Sequence, residues 1–236
     1  MHKITTIICN YNHEQYLAKA IESIANQTHR NMDVIVVDDG SINDPIDIIE
    51  GSNWNGLEVK YIKNEKNQGK WSCLNNAIEM SNSRWFMIQD ADDYAFPWKA
   101  ESQLACLLET NTSLNLAGYT PINVQSEHEA NFVEPLSSQS IVGSLVNDCA
   151  MMSLRNPTIH HNYTGQHDVH NGASMFSRSF HVIGFRFQPP GLGLRITRSE
   201  DSDYNLRATL QFGRTSWLPK TCYSYRLGSG HPEGSF

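Results

Sequence analysis

The feature that most constrains this fold is a repeated alternation of short apolar runs with segments of helical periodicity. The apolar runs are rich in β-branched and aromatic side chains, which is typical of buried strands. Strands that alternate with helices predict crossover connections and a mostly parallel sheet. The predicted strands are 4–9, 34–37, 59–62 and 85–88, and the predicted helices contain Leu17, Ile21 and Ile24, then Trp71, Leu74, Ala77 and Ile78, then Leu104, Leu107 and Leu108.

A polar cluster follows three of these predicted strands. Asn10-Tyr11-Asn12 follows the first strand, Asp38-Asp39-Gly40 the second, and Asp90-Ala91-Asp92 the fourth. In parallel α/β sheets, ligands bind beyond the carboxyl ends of the strands, where these loops meet. We therefore predict that the three clusters line a single site.

The second half of the chain has a less regular pattern. We predict a short strand at Ala173 to Phe176, a helix at Glu200 to Gln211 and a last strand at Thr221 to Leu227. Residues 126–172 are rich in Ser, Asn and His and favour loops with short helices. A length of 236 residues fits one domain, 1–236, and the change of pattern near residue 116 divides it into two halves.

Composition excludes several classes of partner. The net charge of −7 argues against nucleic acid and anionic membranes, which attract basic proteins. The five cysteines contain no Cys-x-x-Cys pair, so neither a zinc site nor a disulfide framework is expected. No apolar run approaches the roughly 20 residues of a membrane-spanning helix. No signal peptide is apparent either, and we expect a cytoplasmic protein without an integral membrane segment.

Asp90-Ala91-Asp92 is the strongest local indication of chemistry. Mg²⁺ and Mn²⁺ prefer oxygen ligands and are often held by one or two carboxylates together with substrate phosphates. Two carboxylates that flank a small residue could divide the work, one reaching the metal and the other a ribose. A solvated acidic turn at the end of a strand is the alternative, and the position opposite Asp38-Asp39 favours the metal site.

Other candidates each have a structural alternative. Asp38 and Asp39 could accept hydrogen bonds from a nucleobase or a ribose, although an Asp-Gly pair also favours a plain turn. Lys70 opens a predicted helix and could bind an anion there, or it could be a surface lysine. Glu200 and Asp201 begin another helix, where a carboxylate could act as a catalytic base or simply stabilise the helix N-terminus.

Histidines at two places in the sequence are candidate metal ligands. His231 follows the last predicted strand and could bind Mn²⁺, or it could be a histidine in a frayed tail. The histidines between His160 and His170 lack the spacing of a helical zinc pair, which favours a polar loop on the acceptor side.

These segments together resemble the GT-A glycosyltransferases, especially family 2. Thr6 to Asn12 resembles the opening strand of that family, and Val34 to Ser41 resembles its second strand with the nucleotide-binding aspartates. Asp90 to Asp93 matches its metal-binding motif. Gly172 to Phe176 resembles the acceptor-side strand of the family, Glu200 to Arg207 its catalytic helix, and Tyr225-Arg226 its closing strand. The resemblance therefore covers nearly the whole chain.

The resemblance implies a three-layer α/β/α sheet of about seven strands, with one short antiparallel strand. Residues 1–115 would form the nucleotide-binding half and residues 116–236 the acceptor-binding half. The resemblance implies nucleotide binding for Asn10, Asn12 and Asp39, ribose contact for Asp90, metal binding for Asp92, and catalysis for Asp201 as the base, with Glu200 positioning the acceptor. From their positions in the sequence, Tyr11, Asp38, Lys70 and Ala91 are further candidates for nucleotide binding, and His231 and Asp90 are further candidates for the metal.

The implied function is a metal-dependent glycosyltransferase of the hexosyltransferase type that uses Mn²⁺ or Mg²⁺. It would move sugar from a nucleotide-diphosphate donor, most often a UDP-sugar, to a glycan, lipid-linked or small-molecule acceptor, with inversion. Three alternatives stay open: a retaining transferase on the same fold, a sugar-1-phosphate nucleotidyltransferase, and a non-catalytic nucleotide-sugar-binding protein. A Rossmann dehydrogenase is disfavoured, because no Gly-x-Gly-x-x-Gly follows the first strand.

Overall fold

A computed structural model describes residues 2–123, 150–152, 169–189, 200–212 and 215–227. His231 and most of the histidine-rich segment therefore lie outside the described residues. The strands are β1 (Ile4–Asn10), β2 (Met32–Asp38), β3 (Glu58–Lys63), β4 (Trp85–Asp90), β5 (Tyr94–Ala95), β6 (Leu114–Asn123), β7 (Ala150–Met152), β8 (Val169–Ser177) and β9 (Thr215–Leu227). The helices are α1 (Glu14–Ala25), α2 (Ile46–Glu50), α3 (Lys70–Met80), α4 (Lys99–Thr110), α5 (Ser179–Val182) and α6 (Glu200–Phe212).

All described strands form one mixed sheet in the order β3-β2-β1-β4-β8-β6-β9-β5, with β7 also paired to β9. The first four strands are mutually parallel, as the alternating pattern predicts. The direction reverses at β8, which is antiparallel to both β4 and β6. Strand β9 is parallel to β6, and β5 and β7 are antiparallel to β9.

Helices cover both faces of the sheet. Ile4 and Ile8 of β1 pack with α1, α2 and α4 on one face, whereas Ile7 packs with α3, α5 and α6 on the other. Successive side chains along a strand point to opposite faces of the sheet, so Ile7 points away from the face that holds Ile4 and Ile8. The predicted α/β/α arrangement is therefore confirmed. No helix in the described part of the chain is both long enough and apolar enough to cross a membrane.

The second half departs most from the predictions. The structure has nine strands in its described residues instead of about seven, and the antiparallel β8 is nine residues long instead of short. Strand β9 begins at Thr215, six residues before the predicted start at Thr221. The prediction of loops over 126–172 is wrong for residues 150–152, which form β7, and for residues 169–172, which begin β8. These strands are set by pairing with distant neighbours, which local composition does not show.

Candidate active site

Three polar clusters meet at one edge of the sheet because their strands are neighbours. Asn10 at the end of β1 pairs with Asp38 at the end of β2. On the other side of β1, Cys9 pairs with Asp90 at the end of β4. The predicted convergence of the three clusters is thus confirmed by the register of the parallel strands.

The first acidic turn, Asp38 to Ser41, is held by uncharged donors. The Asn10 amide donates to Asp38 Oδ1 at 2.8 Å, and the Ser41 hydroxyl donates to the same oxygen at 2.5 Å. The Ser41 amide donates to Asp38 Oδ2 at 3.1 Å. Asn10 and Asp38 are both fully buried, so their side chains support the loops in this conformation. Their predicted direct contact with a nucleotide stays a prediction.

Asp39 fixes the connection between β3 and α3. Its Oδ1 accepts the Asn64 amide at 2.7 Å and the Gln68 backbone N–H at 2.9 Å, and its Oδ2 accepts the Gly69 N–H at 2.8 Å. Gly40 has a φ of +78°, and a Cβ there would lie 2.7 Å from the Lys66 backbone, so only glycine fits. The first acidic turn therefore shapes the loop that leads into Lys70.

The second acidic turn, Asp90 to Asp93, is held mainly by strand β9. The Arg226 backbone N–H donates to Asp93 Oδ1 at 2.7 Å, and the Tyr223 hydroxyl donates to Asp93 Oδ2 at 2.7 Å. The Tyr223 hydroxyl also accepts the Asp90 N–H at 3.2 Å. Arg226 Nε donates to the Asp92 carbonyl at 2.7 Å. Tyr223 and Arg226 therefore position the predicted metal-binding turn from beneath.

Ionisable groups under this turn are buried. Burial, together with the charges of Asp90 and Asp92, raises the pKa of Asp93 to about 8. Lys99, the first residue of α4, is fully buried and donates to the Ile88 carbonyl at 2.9 Å. Burial lowers the pKa of Lys99 to about 7. The ammonium lies 4.6 Å from the centre of the Tyr223 ring, a favourable cation–π geometry.

Lys70 joins the second acidic turn to helix α6. Its ammonium lies 2.5 Å from Asp90 Oδ1 and 3.2 Å from Glu200 Oε1. Burial disfavours the charged lysine, but the carboxylates of Asp90, Glu200 and Asp201 outweigh it and hold the pKa of Lys70 well above its usual value. The same surroundings raise the pKa of Glu200, through burial above all and against the effect of Lys70. Lys70 is therefore paired with two predicted site residues, and its contact with a nucleotide stays a prediction.

Helix α6, which begins with Glu200 and Asp201, packs through Tyr204 into an aromatic cluster. Tyr204 stacks on Phe187 with ring centroids 3.9 Å apart, and it also contacts Phe176 and Phe185. Asp201 is largely buried, and its Oδ1 accepts the Ser202 N–H at 2.6 Å. The sequence prediction that Glu200 and Asp201 share the site with Asp90 is supported by the ion pair through Lys70.

Asp92 is the carboxylate of the second acidic turn that is best placed for a metal. Its Oδ2 lies 3.8 Å from His13 Nδ1, and both side chains are 15% exposed. Across the described ranges, no Lys or Arg pairs with it, and no three His, Cys, Asp or Glu side chains are grouped to hold a metal. The residues therefore fit an ion shared with substrate phosphates, but not a site made of protein ligands alone.

The remaining predicted residues have distinct positions. Ala91 packs into the apolar core, so only its backbone is available to a nucleotide. Tyr11 is half-buried, and Asn12 bonds to the first acidic turn through its N–H to Ser41 and its Oδ1 to the Ile42 N–H. His13, Lys99 and Tyr223 were not predicted from the sequence, although each contacts the second acidic turn or the residues that support it. A usable indication for Lys99 was its helical spacing with Gln103 and Leu107, which places it on the buried face of α4.

The sequence matches the family model described as "Glycosyl transferase family 2" over residues 5–182. A protein of Rickettsia bellii named "Uncharacterized glycosyltransferase" is 32% identical over 143 residues, which are 61% of this chain and 20% of that protein. The chain thus spans only a fifth of this relative's length.

Solved structures share the fold at low sequence identity. S. aureus TarS 1–349 in complex with UDP-GlcNAc aligns with a TM-score of 0.70 at 20% identity, over 97% of this chain and 60% of that one. The mannosyltransferase PcManGT from Pyrobaculum calidifontis, in complex with GDP-Man and Mn²⁺, aligns with a TM-score of 0.61 at 12% identity, over 98% of this chain and 58% of that one.

Proposed function

This chain belongs to glycosyl transferase family 2, and we propose on that premise that it moves a sugar from a nucleotide-diphosphate sugar to an acceptor hydroxyl, with a divalent metal. The GT-A fold, with its mixed sheet between two layers of helices, agrees with this assignment. One observation carries the proposal. Lys70 brings Asp90 of the second acidic turn and Glu200 of α6 to one ammonium group, so a donor-side motif and an acidic helix form one site.

The donor would lie at the edge where β1, β2 and β4 end. Asp39, Asn12 and Lys70 are the nearest candidates for contacts with the nucleoside and the phosphates, and Asp90 for the ribose. A bound Mn²⁺ or Mg²⁺ would neutralise charge that develops on the leaving diphosphate. Asp92 would hold this ion, with Asp90 as a further candidate, and His231 of the undescribed tail remains a candidate ligand. UDP-GlcNAc in TarS and GDP-Man with Mn²⁺ in PcManGT support a nucleotide-sugar donor of this kind.

Asp201 is our candidate for the catalytic base. Its carboxylate would accept the proton of the acceptor hydroxyl as that oxygen attacks the anomeric carbon. Proton removal by a base on the face opposite the leaving diphosphate gives inversion. Glu200, next to Lys70, would orient the acceptor. A correctly placed base contributes roughly 10²–10⁴-fold to the rate.

The test combines donor binding with turnover. We expect UDP-sugars to raise the melting temperature of the protein only when Mn²⁺ is present, since a ligand that binds the folded state stabilises it. Asp201→Asn should lower transfer by about 10²-fold or more while the donor-induced shift remains. Asp203→Asn is the matched control, because Asp203 lies on the same helix and pairs with Arg207 at 2.6 Å instead of with Lys70.

Product analysis separates the alternatives. Release of UDP with an inverted anomeric centre supports the proposal, whereas a retained centre identifies a retaining transferase. Release of pyrophosphate identifies a nucleotidyltransferase. Stabilisation by nucleotide sugars without any turnover, over a panel of glycan, lipid-linked and small-molecule acceptors, identifies a binding protein. Normal transfer by the Asp201→Asn variant would refute the assignment of the base.

A further inference from the structure

His13 lies in the short connection between β1 and α1 and faces the second acidic turn. Its Nδ1 is 3.8 Å from Asp92 Oδ2, and both side chains are equally shielded at 15% exposure. The edge of the Tyr16 ring lies against the imidazole, with ring centroids 6.2 Å apart. The histidine is thus packed beside the carboxylate that is our candidate for the metal.

The loop geometry fixes His13 in this place. Asn12 has a left-handed φ of +55°, and it is tied to the first acidic turn by hydrogen bonds of 2.8 Å and 2.9 Å. The next residue, His13, occupies the N-cap position of α1, where Ser, Thr, Asp or Asn would stabilise the helix. Its side chain makes no capping hydrogen bond. Helix stability therefore does not account for a histidine at this position.

We propose that His13 is the second protein ligand of the divalent ion held by Asp92. Two ligand atoms that bind one cation at about 2.1 Å are separated by roughly 3.0 Å when adjacent and 4.2 Å when opposite, so 3.8 Å fits one shared ion with little adjustment. Each of the other two carboxylates of the turn already has a partner: Asp90 pairs with Lys70, and Asp93 accepts from Tyr223 and Arg226.

The chemistry of the pair predicts which metal is selected. Imidazole binds first-row transition metals, Mn²⁺ included, better than it binds Mg²⁺. Within that series, Mn²⁺ has the lowest affinity for a given set of ligands. An Asp–His pair therefore selects Mn²⁺ over Mg²⁺, with the diphosphate and water completing the coordination. This inference rests on the proposed function, because the diphosphate of the donor supplies the remaining ligands.

The test uses Mn²⁺ and UDP with the full chain. Electron spin-echo spectroscopy of the bound Mn²⁺ should show coupling to a ¹⁴N nucleus in the wild-type protein and in His2→Gln, which is a histidine control outside the site. His13→Gln should lose that coupling and bind Mn²⁺ in the presence of UDP about 10-fold or more weakly. His13→Asn should behave in the same way, and its folding is secure because Asn is a favourable N-cap.

The outcomes distinguish this inference from the proposed function. If both His13 variants keep the ¹⁴N coupling and the Mn²⁺ affinity while Asp92→Asn loses that affinity, the inference is wrong and the metal-dependent function stands. If the wild-type protein binds no Mn²⁺ with any nucleotide diphosphate, both fail. A coupling that survives in the His13 variants but disappears in His231→Gln would assign the ligand to the C-terminal segment instead.

Discussion

The two acidic turns lie at the ends of β2 and β4, on either side of β1, yet their carboxylates are contacted by different kinds of groups. In the first turn, Asp38 and Asp39 accept hydrogen bonds from side-chain amides, a hydroxyl and backbone N–H groups. In the second turn, Asp90 pairs with the Lys70 ammonium, and Asp92 lies beside His13. The same residue type therefore serves two purposes at one edge of the sheet.

The difference indicates which carboxylates are available for chemistry. A carboxylate that accepts several fixed N–H groups determines a loop conformation, and losing those bonds costs stability. A carboxylate balanced by a lysine or an imidazole can exchange that partner for a metal or a ribose without unfolding a loop. We therefore assign the architecture of the site mainly to the first acidic turn and its chemistry to the second.

The largest expected effect is that of Asp92→Asn. Transfer should fall by about 10²–10³-fold, because a metal supplies several kcal/mol of transition-state stabilisation and the amide holds it poorly. The urea midpoint should hardly change, because Arg226 bonds to the Asp92 carbonyl, which the variant keeps. Steady-state transfer rates and urea unfolding measure the two quantities. Unchanged transfer would show that Asp92 does not hold the metal.

Asp39→Asn should show the opposite behaviour. The amide group of asparagine faces N–H groups that donated to the carboxylate, so at least one partly buried N–H group loses its partner, at about 1 to 2 kcal/mol of folding free energy. Urea unfolding at neutral pH measures this loss. If the variant keeps its stability and loses only affinity for UDP, then Asp39 acts mainly as a nucleotide contact and the division between the turns is wrong.

Lys70→Met tests whether the second turn needs its cation. Without the ammonium, Asp90 and Glu200 face each other uncompensated, and we expect a loss of about 1 to 2 kcal/mol in stability and a fall of about 10-fold or more in transfer. Lys63→Met is the matched control, because the Lys63–Asp44 pair has a similar separation of 2.6 Å but is exposed. Equal effects of the two variants would contradict a role for Lys70 in the site.

The last expected effect, that of Asp93→Asn, is a change in the pH dependence of stability. The folded-state pKa of Asp93, about 8, lies above its ordinary value of 3.8, so its contribution to stability is complete below about pH 4 and declines as the pH rises toward 8. Between pH 5 and 6.5, the wild-type protein should lose on the order of 1 kcal/mol per pH unit relative to the variant. Urea unfolding of both proteins over this range measures the difference. Identical pH dependence would mean that Asp93 is ionised in the folded protein.

The parallel half of the fold could be predicted from sequence because its strands are locally distinctive. Every residue of β2 is buried, and its apolar run from Val34 to Val37 contrasts with the acidic turn that follows. Strand β6 contains Gly118 and Pro121, which disfavour strands, and it forms because β8 and β9 pair with it on both sides. Strand β5 has two residues, too few to leave any pattern.

The same distinction applies to the site. Asp-Ala-Asp and Glu200-Asp201 are local patterns and could be found in the sequence. The contacts of Tyr223 and Arg226 with the second acidic turn join residues 130 or more positions apart and depend on the register of β9. Whether Asp92 binds a metal, whether Asp201 is the base, and whether the protein is cytoplasmic stay predictions until measured.

The contacts from β9 also have a consequence for biosynthesis. Because the second acidic turn is fixed by Tyr223 and Arg226, its final geometry requires residue 226 to have left the ribosome. The first acidic turn needs nothing beyond Gly69 and can form much earlier. A nascent chain can therefore form the first acidic turn long before the second acidic turn reaches its final geometry.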